Sequence, residues 1–297
     1  MDPLIIEVAL NGTSSKARNP NVPGSPAEVA ADALACLEAG ASVIHTHVSN
    51  YRLEGPAATP EYIQGWAPVL AAHPDAIVYG TAVPAQAFES RFGHYRALAA
   101  AGMRMGVIDP GSVNLPVATE GGLPKPVPNV YRNSHEDIAA LMALLDASRL
   151  GPSLAIYEPG FLRTALGYER AGRMPAGAFV KLYFAGDYSF LDGARTSFTF
   201  GLPPTRVALD AYREMMQGSA LPWAVAVLGG CVATSGMARL AIERGGHVRV
   251  GLEDFAGERQ PGNAELVAEV AAIAAAAGRP VATSAQAARI LRLPASD

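Results

Sequence analysis

Short apolar runs rich in β-branched residues alternate with longer segments of helical periodicity along the whole chain. Eight runs have the length and composition of strands: residues 4–10, 42–48, 76–81, 105–109, 153–157, 178–184, 222–228 and 247–251. Strands that alternate with helical segments predict parallel strands joined by helical crossovers. Eight strand–helix units in about 250 to 300 residues are typical of a TIM barrel. The predicted fold class is therefore α/β, a (β/α)8 barrel.

The segments between these runs begin and end like helices. A helix start is predicted where an oxygen-bearing residue precedes early acidic residues, at Ser25, Thr59 and Ser134. Glycines mark the predicted helix ends. Residues 263–277 would form the eighth barrel helix and residues 284–291 an added C-terminal helix. Because no linker-like segment interrupts the pattern, residues 1–297 are expected to form one domain.

Composition and charge narrow the classes of function. Half of the 297 residues are hydrophobic, 17% are charged, and the net charge is −4. A chain with this net charge lacks the excess of basic residues that nucleic-acid binding requires, so no nucleic-acid partner is expected. The two cysteines, Cys36 and Cys231, are too few for a disulfide framework. No segment has the pattern of a signal peptide or a membrane span, and a cytoplasmic location without membrane contact is expected.

Two histidines at the end of the second predicted strand form the most informative motif. His45 and His47 are two residues apart, so both rings can point to the same side of a strand. Glu253 follows the last predicted strand, which in a barrel would lie, like the second, beside the first. A catalytic Zn²⁺ site needs three such ligands and one open position. The alternative is that the histidines merely end a strand and that the acid lies in a solvated loop.

The residues next to the third ligand suggest acid–base chemistry. Asp254 follows Glu253, and Arg249 lies within the preceding strand. Asp254 could therefore act as a general base towards a substrate at the barrel mouth, with Arg249 beside it. An Arg–Asp ion pair with a purely structural role is the alternative.

Other polar residues fall where strands end. Hydroxyl, amide and backbone N–H donors follow the third and fourth predicted strands at Thr81, Gly111, Ser112 and Asn114. Such donors can bind a carboxylate, although the same residue types are common in any turn. The loops at residues 110–133 and 185–204 are much longer than ordinary barrel loops, and we expect them to shape the pocket.

Taken together, these motifs resemble those of the β-keto acid cleavage enzymes. The resemblance rests on five segments, at residues 19–23, 38–47, 111–115, 223–226 and 245–254. Members of that family are TIM barrels that bind Zn²⁺ through a His-x-His pair and a glutamate. The resemblance therefore implies that His45, His47 and Glu253 are zinc ligands.

The resemblance also implies a reaction and its participants. A β-keto acid would condense with acetyl-CoA, and retro-Claisen cleavage would give acetoacetate and a new acyl-CoA. Asp254 matches the family's catalytic base, and Arg249 would orient it. Thr81 takes the place of a substrate-binding serine. Gly111, Ser112 and Asn114 match positions around the keto-acid carboxylate. As in its relatives, a homo-oligomer, specifically a tetramer, is expected.

Departures from the family pattern bear on the substrate. The aminohexanoate-cleaving relatives carry a glutamate in the loop after the first strand, and residues 12–16 here contain no acid. Further departures are residues 48–50 after the histidine pair, Phe255 after Asp254, and residues 184–190, which lack the family's common glycine-rich pattern. From these departures together, a substrate with an uncharged or apolar tail is expected. Two other functions stay open, namely a different metal-dependent barrel aldolase or hydrolase and a barrel that binds a metal and a keto acid without turnover.

Overall fold

Eight parallel strands surround the centre of the molecule. The structure, a computed structural model, describes residues 1–50, 53–83, 85, 87–115, 119–120, 123–126, 130–189, 194–195 and 200–295. The barrel strands are β1 (Ile6–Ala9), β2 (Val43–His45), β3 (Ile77–Tyr79), β4 (Met105–Ile108), β7 (Gly151–Ile156), β8 (Phe179–Ala185), β9 (Trp223–Leu228) and β10 (His247–Val250). A small antiparallel hairpin, β5 (Thr119–Glu120) and β6 (Leu123–Pro124), lies in the loop after β4.

Helices connect the strands on the outside of the barrel. They are α1 (Pro26–Glu38), α2 (Gly55–Ala72), α3 (Phe88–Phe92), α4 (Tyr95–Ala100), α5 (His135–Ala147), α6 (Pro159–Arg170), α7 (Arg206–Met215), α8 (Met237–Glu243), α9 (Asn263–Ala276) and α10 (Ser284–Leu291). The apolar outer faces of the strands are buried against these helices in one hydrophobic core, which is how a parallel sheet covers both its faces.

The strand order confirms the predicted TIM barrel. The sheet runs β3-β2-β1-β10-β9-β8-β7-β4, with all neighbours parallel. The remaining gap is bridged where the Arg104 backbone N–H, just before β4, donates to the Val78 carbonyl in β3 at 3.1 Å. Since β2 and β10 both pair with β1, the residues that follow these two strands meet at one edge of the barrel mouth.

Two of the three predicted helix starts are confirmed. Ser25 and Ser134 each cap a helix through a reciprocal capping box. The start predicted at Thr59 is wrong, because α2 begins four residues earlier, at Gly55. There Pro56 occupies the first turn, where a missing N–H costs little, and the Thr59 hydroxyl donates back to the Gly55 carbonyl at 3.3 Å.

The long loops at residues 110–133 and 185–204 are described only in part. Outside the described residues lie 116–118, 121–122, 127–129, 190–193 and 196–199. That these loops shape the pocket therefore stays a prediction. Within the described part of the chain, no helix combines the length and apolar character needed to cross a membrane.

Candidate functional site

The ends of β2 and β10 bring the three predicted ligands together. His45 Nε2 lies 3.3 Å from one carboxylate oxygen of Glu253, and His47 Nε2 lies 3.4 Å from the other. The three ligand atoms, one from each residue, all lie within 4.8 Å of one another. Two imidazoles and one carboxylate are the donor set of many catalytic zinc sites.

The protonation and burial of these residues fit a metal ion. His47 Nε2 and the Nδ1 atoms of both histidines are buried and have no hydrogen-bond partner among the described residues. Burial lowers the pKa of His45 to about 4, so its ring is neutral at pH 7 and can ligate. Burial opposes ionisation of Glu253, but the charges of His47 and Arg249 hold its pKa well below the usual range.

Local backbone contacts fix the position of His47 and Glu253. The Asn11 side chain, just after β1, accepts from the His47 N–H at 2.8 Å and donates to the His47 carbonyl at 3.0 Å. The next residue, Gly12, has a φ of +55°, and a Cβ there would lie 2.3 Å from Glu253 Cγ. A glycine is therefore required both for this backbone conformation and for the space that Glu253 occupies.

Arg249 and Asp254 form a buried pair beside the three candidate ligands. Arg249 Nε donates to Asp254 Oδ2 at 2.8 Å, and Nη2 donates to Oδ1 at 3.3 Å. Arg249 Nη2 also lies 3.0 Å from Glu253 Oε2. Burial raises the pKa of Asp254 to about 6, although Arg249 opposes the rise. The Asp254 carboxylate is thus mostly ionised at pH 7 and more basic than an exposed aspartate.

A second polar cluster fills the barrel beneath Arg249. Glu7 Oε1 accepts from Tyr79 at 2.7 Å, from Arg249 Nη1 at 2.7 Å and from Lys181 Nζ at 3.1 Å. Lys181 also donates to the Tyr79 hydroxyl, and so does Ser153. Barrel interiors are ordinarily filled by branched apolar residues. Here the charged cluster fixes the guanidinium of Arg249 from below.

Thr81 is fixed through its backbone at the end of β3. Its N–H donates to the Tyr62 hydroxyl at 3.3 Å, and its carbonyl accepts from His94 Nε2 at 2.9 Å. The Tyr62 hydroxyl also accepts from the backbone of Val48, next to His47. The structure therefore ties Thr81 to the strand end that carries the histidines.

The predicted residues after β4 occupy the opposite part of the mouth. The Ser112 hydroxyl accepts from the Asn133 N–H at 2.9 Å and donates to the Asn133 carbonyl at 3.0 Å. Gly111 lies against the Phe161 ring, where a Cβ would approach to 2.3 Å. Asn114 is exposed. These residues organise the loop, and their predicted contact with substrate stays a prediction.

A comparison with protein families decides the affiliation. The family model for β-keto acid cleavage enzymes matches residues 3–293. The chain belongs to this family. Among the relatives of this chain is the 3-oxoadipate:acetyl-CoA acetyltransferase of Cupriavidus necator, 29% identical over 302 residues, covering 99% of this chain and 96% of the relative. The 3-keto-5-aminohexanoate cleavage enzyme of Fusobacterium nucleatum is 27% identical over 300 residues, covering 99% of both chains.

A solved structure supports the fold of this family member. ObcA, in a ternary complex with a C4-CoA adduct and oxalate, superposes with a TM-score of 0.67 at 16% identity, covering 94% of this chain and 68% of ObcA. At that identity the likeness bears on the barrel alone.

Reasoning from the sequence missed the polar residues that lie inside the barrel. Glu7, Tyr79 and Lys181 sit within runs that were assigned only as strands, and Asp109 was counted as the end of one. A charged residue inside an apolar strand was the available signal, since an unpaired charge is rarely buried.

Proposed function

We propose that this protein is a zinc-dependent enzyme that transfers the CH₂COO⁻ unit of a β-keto acid to the acetyl group of acetyl-CoA. The products are acetoacetate and the acyl-CoA of the remaining fragment. The observation that carries the proposal is the convergence of His45, His47 and Glu253 beside the Arg249–Asp254 pair. The relatives named for acetyl-CoA-dependent transfer and for keto acid cleavage support the reaction class.

Asp254 would begin the reaction as the base. It takes a proton from the carbon between the ketone and the carboxylate, and the resulting carbanion attacks the thioester carbonyl of acetyl-CoA and expels the CoA thiolate. A divalent ion bound by His45, His47 and Glu253 would polarise the ketone and stabilise the negative charge on its oxygen. Arg249, held by two hydrogen bonds to Asp254, keeps that carboxylate in one orientation.

The second half reverses the first with the thiolate as nucleophile. The CoA thiolate attacks the original ketone carbon, the bond from that carbon to the former CH₂ group breaks, and acetoacetate leaves as its enolate. The proton held by Asp254 returns to that enolate, so the enzyme is regenerated without an external acid or oxidant. Thr81, Gly111, Ser112 and Asn114 are proposed to bind the keto acid.

Acetoacetate formation by purified, zinc-loaded protein tests the proposal. We expect formation that requires a β-keto acid and acetyl-CoA together. His45→Gln and Asp254→Asn should each abolish it, whereas His73→Gln, at an exposed histidine, should retain it. Product formed without acetyl-CoA would indicate an aldolase or hydrolase instead. Keto acid binding without turnover, unchanged in Asp254→Asn, would indicate a binding protein.

A further inference from the structure

Asp109 is a buried carboxylate for which the proposed reaction has no use. It follows β4 at the barrel mouth and is only 7% exposed. Its Oδ2 accepts a hydrogen bond from the Tyr131 hydroxyl. Its Oδ1 is buried and has no hydrogen-bond partner within the described part of the chain. A buried carboxylate oxygen without a donor is costly, which makes this group a candidate for ligand binding.

The surroundings of Asp109 leave it as an acceptor. Burial raises the pKa of the Tyr131 phenol well above its usual range, and Asp109 adds to the rise. The Asn133 side chain also hydrogen-bonds the Tyr131 hydroxyl and opposes this rise, as a donor to the phenolic oxygen does, so the phenolic proton is free to point at Asp109. Burial raises the pKa of Asp109 to about 6, against the effect of Tyr131. The carboxylate is therefore largely ionised at pH 7, and its second oxygen needs a donor.

The nearby cations already bind other groups. Lys181 contacts Glu7, and Arg249 contacts Glu7 and the two acids after β10. Arg91, whose charge also acts on Asp109, donates to Asn133 and stacks on the Phe92 ring at 4.7 Å. An anionic group brought to Asp109 would thus meet repulsion from its carboxylate, while the three cations described near it already bind other groups.

Tyrosine rings connect Asp109 to the metal centre. Tyr131, Tyr157 and Tyr183 lie in series, with ring centroids 6.4 Å and 4.9 Å apart. After burial, the charges of both Asp109 and Glu253 raise the pKa of Tyr157, which places this phenol within range of both carboxylates. The guanidinium of Arg249, which contacts Glu253, lies 5.5 Å from the centroid of the Tyr183 ring, so this series of rings runs from Asp109 to the neighbourhood of the three candidate ligands. Aromatic rings also favour a cation.

We propose that Asp109 and Tyr131 form the tail subsite and select β-keto acids whose tail ends in an ammonium group. The inference rests on the proposed function, because it assumes that the reacting end lies at the metal centre. A charge-assisted bond to Asp109 Oδ1 supplies the missing donor, which a methyl tail cannot do and a hydroxyl tail does more weakly. An ammonium tail differs from the uncharged tail that was expected in part from residues 12–16, the loop after β1. The acid proposed to bind it, Asp109, follows β4 instead.

The test compares β-keto acids of one length that end in ammonium, hydroxyl, methyl or carboxylate. Binding to the zinc-loaded protein is measured by calorimetry without acetyl-CoA, and turnover is measured with it. We expect the ammonium tail to bind at least about tenfold more tightly than the methyl tail, as one charged hydrogen bond provides. Asp109→Asn should remove that preference, and Tyr131→Phe should reduce it. Asp32→Asn, at a partly buried aspartate of α1 hydrogen-bonded to Asn263, is the matched control and should preserve the ratio.

Each outcome decides between specific possibilities. Tighter binding of the hydroxyl, methyl or carboxylate tail overturns the proposal, and so does an equal loss for all four tails in Asp109→Asn, which would make the residue structural. If no tail is turned over but the ammonium preference in binding is present and depends on Asp109, the proposed reaction fails and the subsite stands. If turnover occurs without that preference, the reaction stands and the subsite fails.

Discussion

Glu7→Gln tests whether the charged cluster beneath the site stabilises the barrel. Glu7 is fully buried, and its Oε1 accepts from Tyr79, Arg249 and Lys181. Glutamine preserves the shape and one acceptor oxygen but removes the negative charge. Breaking a buried ion pair from one side costs about 3 to 5 kcal/mol, because the remaining charges lose their partner.

The structure places the expected loss near the lower end of that range. Arg249 retains Asp254, so Lys181 is the group left uncompensated. Burial already lowers the pKa of Lys181 despite the opposing effect of Glu7, and loss of its proton would relieve part of the penalty. We therefore expect about 3 kcal/mol, which at about 2 °C per kcal/mol lowers the melting temperature by about 6 °C.

Urea and thermal unfolding of the metal-free protein at pH 7 measure this loss. Adding Lys181→Met to Glu7→Gln removes the uncompensated charge. The double variant should recover about half of the lost free energy of unfolding, because the effects of substitutions at contacting residues are coupled. Glu243→Gln, at an exposed acid paired with Arg239 on the same helix, should leave the midpoint nearly unchanged. The reasoning fails if Glu7→Gln unfolds like the wild type, or if the second substitution adds a further loss in place of a recovery.

Three further predictions concern metal binding and pH. Saturating Zn²⁺ at about 1,000 times its dissociation constant should stabilise the protein by about 4 kcal/mol in thermal unfolding, and His45→Gln should abolish this gain; a gain of equal size in the variant would exclude His45 as a ligand. Gly12→Ala should weaken Zn²⁺ affinity in metal titrations because its Cβ displaces Glu253. Gly172→Ala, with a similar φ of +64° and open space around it, should lower stability alone. Equal Zn²⁺ affinities in the two variants would contradict the steric argument. Burial lowers the pKa of His247 to about 3, so the neutral form is favoured in the folded state. As the pH falls from about 6.5 to 3, the wild type should therefore lose stability that His247→Gln does not lose. Urea midpoints of the two proteins that change in parallel across this range would refute this prediction.

The barrel and the candidate metal ligands could be predicted from local patterns. Each barrel strand corresponds to a short apolar run in the sequence. The parallel barrel order then places the residues after β2 and β10 on either side of β1. His45 and His47 shared a face because side chains alternate along a strand. The barrel order made a meeting of these residues with Glu253, some 200 positions away, geometrically reasonable, and the family resemblance then implied it.

The tail subsite and the interior cluster depended on information that local patterns do not contain. Asp109 is one of many acids that end a strand, and only the fold shows that Tyr131, 22 positions later, bonds one of its oxygens and leaves the other without a partner. Glu7 and Lys181, 174 positions apart, contact each other across the barrel interior. Which strand residues point inward at the same height depends on the register between strands, and that register is set by packing.

The central claim is tested most directly by following labelled carbon from acetyl-CoA. Zinc-loaded protein is incubated with acetyl-CoA carrying ¹³C in both acetyl carbons and an unlabelled β-keto acid, and the products are examined by NMR and mass spectrometry. The account predicts label in the ketone and methyl carbons of acetoacetate, none in its CH₂ or carboxylate carbons, and an unlabelled new acyl-CoA. Unlabelled acetoacetate, or label in the new acyl-CoA, would contradict it.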